Sequence, residues 1–172
     1  GVGWRYVFLV GESGEPGIYK VGANPVLHGM YTSEMNGETL EEISLFMTEH
    51  RAEFENKRLI LYGNIPGLSY YLDKAPAIYT AWADLNTNSL EQLKEELQEL
   101  TVSYGGNHED RPLVILSPQL AAYLSGEDDA ISWWGVDVES CEKDEKLKAI
   151  KEYMETGAYQ QVFANEAFVV YS

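Results

Sequence analysis

The sequence predicts an α/β fold with a mixed, mostly parallel sheet. Three observations carry that prediction. Apolar runs at 58–63, 77–82 and 112–117 have strand length, and segments of helical spacing separate them. Two helical segments, 39–56 ahead of the first run and 89–100 before the last, carry an apolar stripe opposite a charged face. Strand-like runs also open and close the chain, which adds antiparallel edges to a sheet whose crossovers are parallel.

The elements follow in order. WRYVFLV at 4–10 is aromatic and β-branched, as strands are. GESGEPG at 11–17 supplies three glycines and a proline for a turn, and IYKVG at 18–22 pairs back as a hairpin. PVLHGMYTS at 25–33 reads as extended. Thr39 and Glu42 have capping-box spacing, and Leu40, Ile43, Phe46, Met47 and Phe54 share the face of a helix that ends near Asn56. RLILYG at 58–63 is a buried strand, Ile65 to Leu72 a short helix with Pro66 in its first turn, and Ala77 to Trp82 a strand. Ser89 and Gln92 form a second capping box ahead of Leu90, Leu93, Leu97 and Leu100. GGNHEDRP at 105–112 is a loop, 112–117 a strand, and PQLAAYL a short helix. Residues 125–142 read as polar and irregular around Trp133 and Trp134. A charged helix over 143–156 turns Leu147, Ile150 and Met154 inward and stops at Gly157, a C′ residue. YQQVFA and AFVVYS then make a hairpin about Asn165 and Glu166. Helices covering both faces of such a sheet give a three-layer, Rossmann-like sandwich over residues 2–172 as one domain.

Composition narrows the function. Hydrophobic residues make up 45% and charged residues 23%, a globular balance. The net charge of −16 repels phosphate backbones, so nucleic acid is not an expected partner, and it disfavours docking on anionic lipid. Cys141 is the only cysteine, which rules out an internal disulfide and suits either a reducing cytosol or a bacterial cell surface. No apolar run approaches the ~20 residues needed to span a bilayer. The chain begins Gly-Val-Gly and enters a strand almost at once, so it is expected to be a fragment of a longer membrane protein.

Candidate site residues gather where parallel strands end, since open α/β sheets bind ligands beyond those carboxyl ends. Gly63, Asn64, Asp84 and Ser117 occupy these places, although polar side chains at such junctions ordinarily serve as turns and caps. GESGEPG is not a phosphate loop, for it lacks both the spacing and a following helix. Asp84, Asn86, Asn88 and Glu95 fall at positions of a calcium loop, but Ser89 replaces its glycine and caps a helix instead. His28, His50 and His108 have no metal-ligand spacing, and His50 sits beside an apolar stripe as a packed residue would. Ser117 is followed by Pro118 and Gln119, not by a nucleophile elbow, and no histidine follows His108. No cofactor or metal motif is expected. Trp133 and Trp134 offer either a sugar-stacking platform or a plug between loop and core.

"YGNIPGLSYYLDKAPAIYTAW" resembles a pattern in the extracytoplasmic C-terminal region of bacterial polytopic membrane glycosyltransferases of the mannosyltransferase-like (GT-C) kind. Gly63, Pro66, Tyr70, Tyr71, Leu72 and Pro76 match that pattern, and HGMYTS at 28–33 is similar to its upstream segment. The resemblance covers about residues 25 to 82. It implies an accessory domain on the extracytoplasmic face of a bacterial membrane, attached to the transmembrane part of the same chain. Its partner there would be a lipid-linked sugar or glycan. The catalytic carboxylate would lie in the membrane part, so no catalytic residue is carried over. Tyr70 would belong to the contact surface, because two adjacent tyrosines leave a helix in different directions and one reaches the rim. The alternatives are a stand-alone small-ligand-binding or enzymatic α/β domain, and a glycan-binding surface module.

Overall fold

The structure is a computed structural model and describes residues 7–8, 17–18, 36–63, 72, 90–104 and 108–172. These residues form a mixed α/β arrangement with seven helices, a four-stranded sheet and a separate two-stranded pair. The pair, β1 (Val7–Phe8) and β2 (Gly17–Ile18), is antiparallel with Val7 opposite Ile18.

The first long helix, α1 (Gly37–Glu49), starts earlier than its capping residues suggest. Asn36 is the cap: its side chain accepts from the Thr39 backbone N–H at 2.9 Å, and the Thr39 hydroxyl accepts from the Asn36 N–H at 3.0 Å. Thr39 is therefore the far arm of the box and not its start. Ile43, Phe46 and Met47 are buried along one face. The helix then breaks at His50, and a single turn, α2 (Arg51–Phe54), completes the path by burying Phe54. His50 packs as expected for its place beside the stripe, stacked on Phe54 at 5.5 Å with Nδ1 3.0 Å from the Phe46 carbonyl.

Strands β3 (Leu59–Tyr62) and β4 (Leu113–Leu116) are buried at every position and pair in parallel, Leu59 opposite Leu113 through Tyr62 opposite Leu116. Between them in sequence runs α3 (Leu90–Tyr104), one turn longer than its leucine stripe, with Leu93, Leu97 and Leu100 buried. After β4 come α4 (Pro118–Ser125), α5 (Asp128–Trp134), α6 (Val138–Glu142) and α7 (Glu145–Thr156). The chain closes with β5 (Gln161–Ala164) and β6 (Val169–Tyr171). The sheet order is β3-β4-β6-β5, so the terminal hairpin lies against β4.

Three expectations change. Residues 125–142 are not irregular but hold the two short helices α5 and α6; Asp137 caps the second by accepting from the Ser140 N–H. The described strands are not mostly parallel: β4·β6 and β5·β6 are both antiparallel, and only β3·β4 is parallel. Gly157 ends α7 with ordinary helical angles, and the left-handed residue is Ala158 at φ 54. The extended segment at 25–33, the helix from Ile65, the strand from Ala77 to Trp82 and the Ser89 cap lie outside the described residues.

Alternation along the strands divides the core in two. Ile60, Tyr62, Val114 and Leu116 pack with Leu93 and Leu97 of α3 and with Leu147 and Ile150 of α7. Leu59, Leu61, Leu113 and Ile115 pack with Ile43 and Phe46 of α1, Phe54 of α2 and Phe168. Asn165 fixes the hairpin turn to the second cluster. Its Oδ1 accepts from the N–H groups of Ala167 and Phe168, and its Nδ2 donates to the Thr39 carbonyl and the Glu42 carboxylate.

Candidate functional site

The carboxyl ends of β3 and β4 are where a ligand of this fold class is expected. The described part of that edge is filled with packing. Gly63 has φ +110, a conformation that favours glycine, and a side chain added there would stand 2.7 Å from the Ser117 Oγ and 3.2 Å from Leu120. Ser117 is buried, and its backbone N–H donates to the Tyr62 carbonyl. Its side chain does not cap α4, whose first turn begins instead with Pro118. One residue back, the Tyr62 phenol donates to both oxygens of Asp144, at 2.7 and 2.8 Å. The same carboxylate accepts from the Leu147 N–H and so caps α7. Polar groups at this edge thus join strand to helix. Gly63 and Ser117 are brought together as the sequence suggests; Asn64, Tyr70 and Asp84 lie outside the described residues.

The opposite ends of the same strands hold two buried cations. Lys57 donates to the carbonyls of His108 at 2.8 Å and Arg111 at 2.9 Å. Burial, with the neighbouring Arg111 charge second, pulls its pKa below the usual lysine value. Arg111 donates to the Gly157 carbonyl, and its guanidinium lies over the Tyr159 ring, 3.9 Å from the centroid. Gly157 makes this approach possible, since a side chain there would meet Arg111 Nη1 at 2.9 Å. The Tyr159 phenol donates to the Pro112 carbonyl at 2.7 Å and sits 3.0 Å from that of Tyr153. Sequence reasoning missed this bracket because its members are separated by about fifty residues and carry no common spacing. It ties the end of α7 to the start of β4.

The tryptophan pair is not a flat platform. The rings of Trp133 and Trp134 meet edge to face, with an interplanar angle of 78° and 4.7 Å between centroids. Trp133 is exposed and Trp134 half-buried at the end of α5. Cys141 is buried, and desolvation with Asp144 and Asp137 nearby pushes its thiol pKa up. His108 lies in a turn whose residues are exposed through Asp110. Among the described residues, no three or more His, Cys, Asp or Glu side chains gather where a metal ion would be held. No helix of the described residues is long and apolar enough to cross a membrane.

A cleft of about 320 Å³ opens between α4, α7 and the end of β6. Ala121, Leu124, Met154 and Tyr171 give it apolar walls, and Glu127, Lys151 and Glu155 stand on its lining as charged groups. Its size lies at the lower end of small-molecule sites, about 300–1,000 Å³. Burial raises the Tyr171 phenol pKa well above its ordinary value. None of these residues stood among the sequence candidates, because the cleft is assembled from segments with no shared motif.

Compared with known proteins, the chain finds no matching family model, curated protein or solved structure. What the described residues define is the class: a mixed α/β chain with a helix-covered four-stranded sheet and a lateral cleft.

Proposed function

We propose that the chain is an accessory recognition domain, and that its setting is the extracytoplasmic face of a bacterial membrane glycosyltransferase-like protein. The observation that carries the recognition part is the packing of Gly63 on Ser117 and Leu120. The described part of the strand-end edge, Gly63 and Ser117, is occupied by contacts that hold β3, β4 and α4 together. Tyr62 and Asp144 add a helix anchor at the same place. Contact with partners then falls to the surfaces around the sheet. The membrane setting rests on the sequence resemblance through Gly63, Pro66, Tyr70, Tyr71, Leu72 and Pro76. In that setting the partners are the transmembrane part of the same polypeptide and a lipid-linked sugar or glycan.

The layering in this reading is three-layer and Rossmann-like. Its support is the division of β3 and β4 between two clusters, one completed by α1 and α2 and the other by α3 and α7.

The test is topological. An epitope placed after Ser172 in the native gene is expected to remain in the membrane fraction until detergent is added. It is also expected to be removed when protease is applied to intact spheroplasts. An epitope recovered in the soluble fraction of broken cells, protected from external protease, overturns the membrane setting. Turnover of a sugar donor by the purified chain overturns the accessory role.

A further inference from the structure

We infer that the cleft between α4 and α7 binds a small aromatic zwitterion of amino-acid size. Its ring would lie on the apolar walls, and its two charges would meet the charged groups of the lining. This inference stands apart from the membrane setting, because it uses only residues of the cleft.

Three features define the ligand. The first is size with polarity: about 320 Å³, walled by Leu124, Met154 and Tyr171, matches a ligand with a single ring. The second is charge of both signs. Lys151 and Glu155 are one turn apart on α7, so their heads share a face, and Glu127 comes from the residue before α5. The ion pairs Lys143–Glu139 and Lys148–Glu145 lie outside the cleft. The third is Tyr171. Its ring packs against the core, and its hydroxyl makes no hydrogen bond among the described residues, although burial disfavours its ionised form. Tyr171 is half-buried on the cleft lining, so its hydroxyl is free to bond a ligand oxygen in place of solvent.

A zwitterion answers all of these demands together. Its ammonium group is placed between Glu127 and Glu155, and its carboxylate takes Lys151 and the Tyr171 hydroxyl. A simple amine would leave Lys151 and the phenol without an acceptor. A simple carboxylic acid would leave two carboxylates uncompensated, and the chain's net charge of −16 would repel it at long range.

The test uses the purified 172-residue chain, L-tryptophan and L-phenylalanine, with titration calorimetry and amide chemical-shift mapping. Saturable binding of about millimolar affinity or tighter is expected for a ligand of this size. Shifts should centre on α4, α7 and β6. Tryptamine lacks the carboxylate and indole-3-propionate lacks the ammonium group, and each should bind at least about tenfold more weakly. Lys151→Glu should weaken L-tryptophan by about tenfold and leave tryptamine unaffected or improved. Tyr171→Phe, which removes no hydrogen bond within the described protein, should weaken the amino acids several-fold. Circular dichroism of both variants separates lost binding from lost folding. The inference is overturned if neither amino acid saturates cleft residues up to about 10 mM. Equal binding of indole-3-propionate, or an affinity that Lys151→Glu does not change, also overturns it.

Discussion

The two faces of the four-stranded sheet solve the same burial problem with different side chains. Toward α1 and α2 the core is aliphatic and phenylalanine-rich: Ile43, Phe46, Phe54 and Phe168 close on Leu59 and Leu61. Toward α3 and α7 the core mixes leucines with tyrosines, and Tyr62, Tyr153, Tyr159 and Tyr171 all belong to it or pack on it. A phenylalanine core is held by shape and by removal of apolar area from water. A tyrosine adds a hydroxyl that must find a partner, and three of these four do. Those bonds place α7 at both ends, through Asp144 before its first residue and through Tyr153 and Tyr159 near its last. The price is incomplete closure, and the cleft opens on the tyrosine side. The closed face and the face that carries the cleft are thus opposite sides of one sheet.

The largest expected effect tests the closed face. Phe168 is fully buried and packs beside Phe163 and the helices of that side. Phe168→Ala should destabilise by about 3–5 kcal/mol, the usual cost of deleting a buried aromatic ring. Urea unfolding monitored by circular dichroism measures it. A cost below that of any single tyrosine substitution on the other face would break the comparison.

Next comes the junction that both faces share. Gly63→Ala forces a side chain into a left-handed conformation and against Ser117 Oγ at 2.7 Å. Strain of this kind costs about 1–3 kcal/mol, and the contact adds to it. The double variant Gly63→Ala with Ser117→Gly should recover the steric part and not the backbone part. Full recovery in unfolding experiments would mean that backbone strain at Gly63 is negligible.

Alkaline pH should act on one face alone. Burial raises the phenols of Tyr153, Tyr159 and Tyr171 above the ordinary value of 10.0. In the unfolded chain they ionise near that value, so above it the folded chain holds more protons. Their stabilising contribution is complete below pH 10 and is lost as pH rises toward the folded values. The limiting slope is about 1.4 kcal/mol per pH unit for each tyrosine. Lys57 works in the opposite sense over an earlier window. Its folded pKa is lowered, so between that value and 10.5 the unfolded chain holds more protons and stability rises with pH. Stability should therefore climb gently toward pH 10 and fall beyond it. Thermal midpoints between pH 8 and 11.5 give the profile, and a flat curve above pH 10 would contradict the burial of these phenols.

The long helices of both faces were legible in sequence. The shared strands are uninterrupted apolar runs, α1 declares a face through Ile43, Phe46 and Met47, α3 through Leu93, Leu97 and Leu100, and α7 through Leu147, Ile150 and Met154. The terminal hairpin was equally readable, because Asn165 and Glu166 interrupt two β-rich runs. Helices α5 and α6 were not. Each is two turns or less, so neither shows an apolar period, and their acidic first turns look like loop. Nor was the cleft, since its walls come from Leu124, Met154 and Tyr171 on three separate elements. The Lys57–Arg111 bracket is hidden for the same reason: its bonds to the carbonyls of His108, Arg111 and Gly157 join segments that share no spacing. Strand-end chemistry was anticipated from fold class, and the described residues there, Gly63 and Ser117, were found in a packing role.

The smallest predicted effect on stability is the sharpest test of how the open face is arranged. Tyr171→Phe deletes one oxygen and keeps the ring that packs on the core. Where a phenol has a protein partner, its loss costs about 1 kcal/mol, as expected for Tyr159, which bonds the Pro112 carbonyl. The Tyr171 hydroxyl has none among the described residues, so its removal should leave stability unchanged or raise it by up to about 1 kcal/mol. The same substitution should also remove one proton from the alkaline slope. Tyr159→Phe measured beside it supplies the contrast, with a loss of stability and a broken link between α7 and β4. If the two variants cost the same, the Tyr171 hydroxyl has a partner in the folded chain. The cleft would then lack the donor that sets it apart from the other tyrosines of its face.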